Sequence, residues 1–254
     1  MLLTPFFSAA ILLWSANWLE LVALVVVVCA FAVKDPLLVL ARQRTVWKQE
    51  HPETRLATRV AFIELLVLAG CAAVLVSARG WRSFLPLFLG GGAFTALAVA
   101  VNVLNRQRSA WFQVASAVAL TSSCLMACLS VQGKIVSWCW LLWILSALQA
   151  SAGIFVVHAR LDARAAARKA NESGCGSRRA AFISQVSLAF AAAIFALFGR
   201  FWIATALLIA AACYLIELRR QVNLKALQMP LTRVGQQALA LSIVYTVLVI
   251  VGLS

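Results

Sequence analysis

Long apolar stretches alternate with short polar connections along the whole chain. The apolar runs, and the residues that interrupt them, predict nine helical spans. These are residues 3–15, 18–41, 57–77, 84–104, 111–131, 135–158, 179–198, 201–217 and 234–253. Most of the spans reach the roughly 20 residues that a helix needs to cross about 30 Å of bilayer hydrocarbon. The first is shorter, so the pattern leaves open whether that helix crosses completely.

The composition excludes a soluble domain. Hydrophobic residues make up 64% of the 254 residues and charged residues only 12%, whereas soluble domains contain about 45–50% apolar residues and about 25% charged ones. Intrinsic disorder is excluded for the same reason. Since the apolar residues form long runs and do not alternate with polar ones, a transmembrane barrel is disfavoured. The pattern predicts an all-α, polytopic transmembrane helical bundle, with residues 1–254 forming a single transmembrane domain.

The basic residues test the number of spans, because Lys and Arg gather in cytoplasmic loops of membrane proteins. Of the 22 Lys and Arg residues, 18 fall in or beside the connections after helices 2, 4, 6 and 8. The other four, on the opposite side, are Arg79, Arg82, Lys134 and Arg200. This split predicts a multi-pass membrane protein with its N-terminus in the cytoplasm and its C-terminus outside. It explains the net charge of +14 without a nucleic-acid partner.

The seven cysteines do not form a metal-binding pattern. Six of them lie inside apolar runs, where cysteine behaves as a small hydrophobic residue. The sequence contains no C-x-x-C pair. We therefore expect free thiols and no metal site.

Basic residues recur every four positions after helix 6, at Arg160, Arg164 and Arg168. If helix 6 continues into the cytoplasm, these side chains share one face of the helix. Such a face can bind a diphosphate or an acidic lipid head group. The more common alternative is the ordinary positive charge of a solvated cytoplasmic connection.

Two polar residues within the spans are further candidates. Glu64 lies about two turns inside the third span, where an ionisable group costs about 2.5–3.5 kcal/mol on insertion scales. It should therefore face the bundle or pair with a group such as Arg59. It can serve as a ligand contact or proton relay, or form a structural interhelical hydrogen bond. Asn102, near the end of the fourth span, has the same alternatives of ligand contact or interhelical hydrogen bond.

Three groups of residues carry a family resemblance. They are Lys34-Asp35-Pro36-Leu37 followed by Arg42-Gln43-Arg44, then His158-Ala159-Arg160-Leu161, and then Pro230-Leu231-Thr232-Arg233-Val234-Gly235 followed by Leu241-Ser242-Ile243-Val244. In order and spacing they resemble the YwiC-like family of bacterial integral membrane proteins, over nearly the whole chain. That family has no settled function.

The chain is also distantly similar to the UbiA superfamily of prenyltransferases, in its number of spans and its basic cytoplasmic loops. The similarity implies two Asp-rich motifs, after helices 2 and 6, that hold Mg²⁺ on a prenyl diphosphate. Here those places offer Asp35 alone and Asp162 alone, without a second carboxylate three or four residues on. The resemblance therefore implies a degenerate site.

The sequence favours a non-catalytic protein that binds membrane lipids, an isoprenoid or a quinone. One alternative is a UbiA-like prenyl or lipid transferase that uses Asp35, Asp162, Arg160 and Arg164, with Mg²⁺ as cofactor; otherwise no cofactor is expected. Another is an accessory subunit of a membrane complex, with other subunits as partners, or a small transporter. The candidate ligand-binding residues are Asp35, Glu64, Asn102, Arg160, Asp162 and Arg164.

Overall fold

A computed structural model of the protein describes residues 3–14, 17–47, 53–104, 109–169, 175–223, 227 and 229–254. Four basic residues of the predicted cytoplasmic connections lie outside this part of the chain: Lys48, Arg106, Arg108 and Lys225. So does residue 15, the predicted end of the first span. The backbone of Arg168 is described, but its side chain is not.

The described residues form helices along the whole chain. In order they are α1 (Leu3–Leu13), α2 (Trp18–Ala32), α3 (Lys34–Arg42), a π-helical turn (Gln43–Trp47), α4 (Glu53–Arg79), α5 (Trp81–Val103), α6 (Ala110–Thr121), α7 (Ser123–Gln132), α8 (Ser137–Lys169), α9 (Cys175–Leu197), α10 (Phe201–Arg220) and α11 (Leu231–Leu253). The predicted polytopic helical bundle is confirmed.

Eight segments of the described chain are long and apolar enough to cross a membrane. Two of them contain a break: α2, α3 and the π-helical turn share one segment, and α6 and α7 share another. At the first break Pro36 is the third residue of α3, within the first turn, where proline is tolerated. Helix α1 has 11 residues and is about 17 Å long. It is therefore about half as long as the hydrocarbon layer is thick.

The first compact unit comprises residues 2–143. Helix α7 lies at its centre, since eight of its ten residues are buried. Helices α1 and α2 pack against α7, and α2 also packs against α4. The buried side chains include Phe6 and Ala9 of α1, and Leu125 and Leu129 of α7.

The second compact unit comprises residues 144–254. Helix α10 packs against both α9 and α11. Small residues allow a close approach: a Cβ atom added at Gly252 of α11 would lie 2.6 Å from Cγ1 of Ile203 in α10. Helix α8 begins in the first unit and continues into the second. That the whole chain acts as a single domain stays a prediction.

Candidate functional site

The sequence predicts the end of this span at residue 158, but α8 continues to Lys169. Arg160, Asp162 and Arg164 therefore lie on a helical extension, as the four-residue spacing of the arginines requires. The hydropathy pattern could not show this extension, because the run of alanines and arginines that forms it is not apolar enough to be read as a span. These alanines and arginines are good helix formers, so the helix continues.

Arg160 is buried, with 3% of its surface exposed. Its guanidinium forms an ion pair with the carboxylate of Glu217, in the last turn of α10. Because a buried charge needs a partner and further hydrogen bonds, this carboxylate explains how an arginine can be accommodated here. Arg160 is thus neutralised within the protein.

The same end of α8 also holds the segment that precedes α11. Arg164 donates from Nε to the carbonyl oxygen of Leu227 at 2.8 Å, and from Nη2 to the carbonyl oxygen of Met229. Arg160 donates to that Met229 oxygen at 3.5 Å. We call Arg160, Arg164, Glu217 and the two carbonyl groups the arginine clamp. It joins α8, α10 and the start of α11.

A row of polar contacts continues from the clamp along α8. Gln221 donates from its amide to the carbonyl oxygen of Val156 at 3.2 Å. The Tyr214 hydroxyl is hydrogen-bonded to Gln149 and lies against Gly153. Deeper in the unit, the Tyr245 hydroxyl donates to the carbonyl oxygen of Leu145 at 3.0 Å. These contacts fix the register of α8 against α10 and α11.

The two aspartates that the transferase alternative would use to hold Mg²⁺ both lie close to neighbouring side chains. Asp162 accepts a hydrogen bond from the hydroxyl of Ser177, the third residue of α9. Asp35 is exposed and lies 3.7 Å from the ammonium group of Lys34. Asp162 belongs to the second unit and Asp35 to the first.

The other two candidate residues belong to the first unit, Glu64 on α4 and Asn102 on α5. Asn102 donates to the carbonyl oxygen of Ala98 at 2.7 Å, and its own carbonyl oxygen accepts from Arg42 at 3.2 Å. Glu64 is half-buried, and the thiol of Cys29 on α2 lies close to it. Among the described residues, Glu64 forms no ion pair with Arg59.

Sequence reasoning missed Glu217. A weak signal was present, because Glu217 is the one carboxylate in α10 and stands beside Arg219 and Arg220. Nothing local identifies its partner, which is 57 residues away along the chain. The structure brings Arg160 and Arg164 together in the second unit. Asn102, Glu64 and Asp35 belong to the first unit.

Comparison with known proteins gives one match. A family model described as YwiC-like protein matches residues 1–131, just over half of the chain. No curated protein matches the chain, and no solved structure does. The arginine clamp and the motifs at His158 and Pro230 lie beyond the matched residues.

Proposed function

This chain belongs to the YwiC-like family, and we propose that it is a non-catalytic, lipid-binding protein of the bacterial cytoplasmic membrane. That it is a multi-pass helical membrane protein is the premise of this proposal. The function concerns the second unit, where charged residues gather at one end of long apolar helices.

The observation that carries the proposal is a set of exposed arginines at one end of the second unit. The start of α9, the end of α10 and the start of α11 meet at that end, because consecutive spans run in opposite directions. The exposed members are Arg178, Arg179, Arg219, Arg220 and Arg233. Each cation near a membrane surface contributes about 1 kcal/mol to the attraction of anionic lipids. This set favours anionic lipids at the cytoplasmic surface.

The internal contacts of residues that a transferase would use support the non-catalytic part of the proposal. A transferase would direct Asp35 and Asp162 at a metal-bound diphosphate. Here Ser177 engages Asp162, and Glu217 neutralises Arg160. These residues have structural partners, so the geometry favours a binding protein over an enzyme.

The test is mass spectrometry of the full chain released from native lipid particles, with bound lipids and partner chains read in the same spectra. We expect retained anionic phospholipid, isoprenoid or quinone at a defined stoichiometry. A stoichiometric protein partner without retained lipid would overturn the proposal in favour of an accessory subunit. Turnover of a prenyl diphosphate that depends on Mg²⁺ would overturn its non-catalytic part.

A further inference from the structure

The first residues of α9 carry positive charge where a helix does not favour it. Arg178 and Arg179 are the fourth and fifth residues of α9, and its first turn contains no carboxylate. The N-terminal end of a helix carries a partial positive charge, so cations there are unfavourable and anions are favourable. Arg219 and Arg220, in contrast, lie in the last turn of α10, where the helix dipole favours them. Asp162 of α8 supplies one carboxylate at this helix end through Ser177. The dipole of α9 itself gives no reason for two cations there.

An apolar groove of about 340 Å³ follows these arginines on the same helix. It is lined by Phe182, Ile183, Val186, Ser187 and Phe190. The four apolar side chains are each more than half exposed. The one hydroxyl in the groove, that of Ser187, already donates to the carbonyl oxygen of Ile183 at 3.0 Å. The groove therefore suits an apolar occupant.

Arg179 and the groove occupy one stripe of α9, and Arg178 lies about 100° round the helix from Arg179. Arg179, Ile183, Val186 and Phe190 follow at intervals of four, three and four residues, which places them along one stripe of an α-helix. The stripe is about 16 Å long, at 1.5 Å per residue. It begins with exposed positive charge and continues as exposed apolar surface. An amphiphile with an anionic head and an apolar chain matches both parts.

We propose that this face of α9 binds one anionic glycerophospholipid, with its phosphate at Arg178 and Arg179 and an acyl chain along the groove. This inference rests on the proposed function and names its ligand class and site. A soluble anion would use only the arginines, and a zwitterionic lipid would bring no net charge to them. The anionic phospholipid is the occupant that uses the whole face.

The role of the two arginines is tested with the full chain in bilayers of phosphatidylcholine and phosphatidylglycerol. Native mass spectra then give the number of phosphatidylglycerol molecules that stay bound to the protein. The double variant Arg178→Gln/Arg179→Gln should weaken its retention by about fivefold for each arginine removed. The matched control, Arg82→Gln/Arg200→Gln, removes the same charge from two exposed arginines outside the set that carries the proposed function. It should change retention at this site much less.

The groove part is tested with Ile183→Ala/Val186→Ala, against Leu197→Ala as an exposed apolar control on α9 outside the groove. The double variant should weaken phosphatidylglycerol retention, and Leu197→Ala should not. Since the three altered side chains are all exposed, the variants should fold normally, and equal thermal unfolding checks this.

The outcomes separate this site from the general proposal. If both arginine variants lose the same amount of bound phosphatidylglycerol and the groove variants lose none, the lipid is attracted by the overall positive charge. That result would overturn the site and leave the proposed function standing. No phosphatidylglycerol preference in the unaltered chain, and no other retained lipid, would overturn both. Displacement of the lipid by a co-purified helical partner that needs Ile183 and Val186 would also overturn the site.

Discussion

The ion pair between Arg160 and Glu217 shows how one carboxylate can turn a basic residue from a surface cation into a buried structural residue. From the sequence, Arg160 is one of several cytoplasmic cations. In the structure it is the most deeply buried arginine among those of the second unit whose side chains are described, and Glu217 has only 16% of its side chain exposed. Breaking a buried pair leaves one charge without compensation, which costs far more than the pair itself gains.

Glu217→Gln is therefore expected to lower the free energy of unfolding by about 3 kcal/mol, since Arg160 keeps its charge in a buried position. Adding Arg160→Met should recover part of that loss. The measurement is denaturant unfolding in detergent micelles. Asp35→Asn is the matched control, because it removes a carboxylate from an exposed pair whose contribution is small. Equal stability of Glu217→Gln and the unaltered chain would show that the Arg160–Glu217 ion pair does not stabilise the second unit.

The close contact between Gly153 and Tyr214 leads to a second prediction at the residue scale. A Cβ atom placed there would lie 2.9 Å from the Tyr214 hydroxyl oxygen. Gly153→Ala should therefore destabilise the second unit by about 1–3 kcal/mol, the usual cost of overpacking. In a Tyr214→Phe background the cost should be much smaller, because the obstructing oxygen is gone. Gly91→Ala is the control, since nothing lies within 4 Å of an added Cβ there. A Gly153→Ala cost that Tyr214→Phe does not reduce would contradict this account of the contact.

At the scale of whole helices, the sequence predicts the existence of the elements well. Each predicted span coincides with helical structure, because long apolar runs leave a chain in lipid no alternative to internal hydrogen bonding. The ends are less predictable. The π-helical turn at Gln43–Trp47 and the extension of α8 to Lys169 lie in polar sequence, where hydropathy carries no signal.

The C-terminal end of α7 is capped by a side chain from another helix. Arg79, the last residue of α4, donates to the carbonyl oxygens of Ser130 at 3.1 Å and Val131 at 2.6 Å. These oxygens belong to the last turn of α7, where carbonyl groups lack partners within the helix. Gly133 completes the ending with a φ of +70°, a conformation that suits glycine.

Arg79→Gln should consequently loosen the turn between α7 and α8. The buried thiol of Cys128 reports on this, because it lies beneath the turn and contacts the carbonyl oxygen of Lys134 at 3.5 Å. We expect its alkylation rate, read by peptide mass spectrometry, to rise by about tenfold, the equivalent of 1.4 kcal/mol of lost hydrogen bonding. Arg82→Gln, which alters an exposed arginine three residues on, should leave the rate unchanged. Equal rates in both variants would show that Arg79 does not stabilise the end of α7.

At the scale of the whole molecule, the sequence predicts candidate residues better than it predicts what they contact. Arg160 and Arg164 do lie together, because a helical repeat fixes their spacing. Their partners come from α10 and from the segment before α11, at separations of 57 to 69 residues. No local pattern specifies such pairs. The family match ends at residue 131 and so gives no guidance on them.

Membrane orientation is the prediction that concerns the entire chain. The basic connections after the second, fourth, sixth and eighth predicted spans should be cytoplasmic. The end of α11 should therefore be outside, whether or not the short α1 crosses the membrane. A single cysteine at Ser254→Cys should react with a membrane-impermeant maleimide on intact spheroplasts. The native Cys175, as the only cysteine left in a second variant, should react only after lysis. The opposite pattern would invert the topology and place the arginines of the proposed lipid site on the outer surface. The lipid proposal depends on their cytoplasmic placement, so this labelling tests its geometry independently of any lipid measurement.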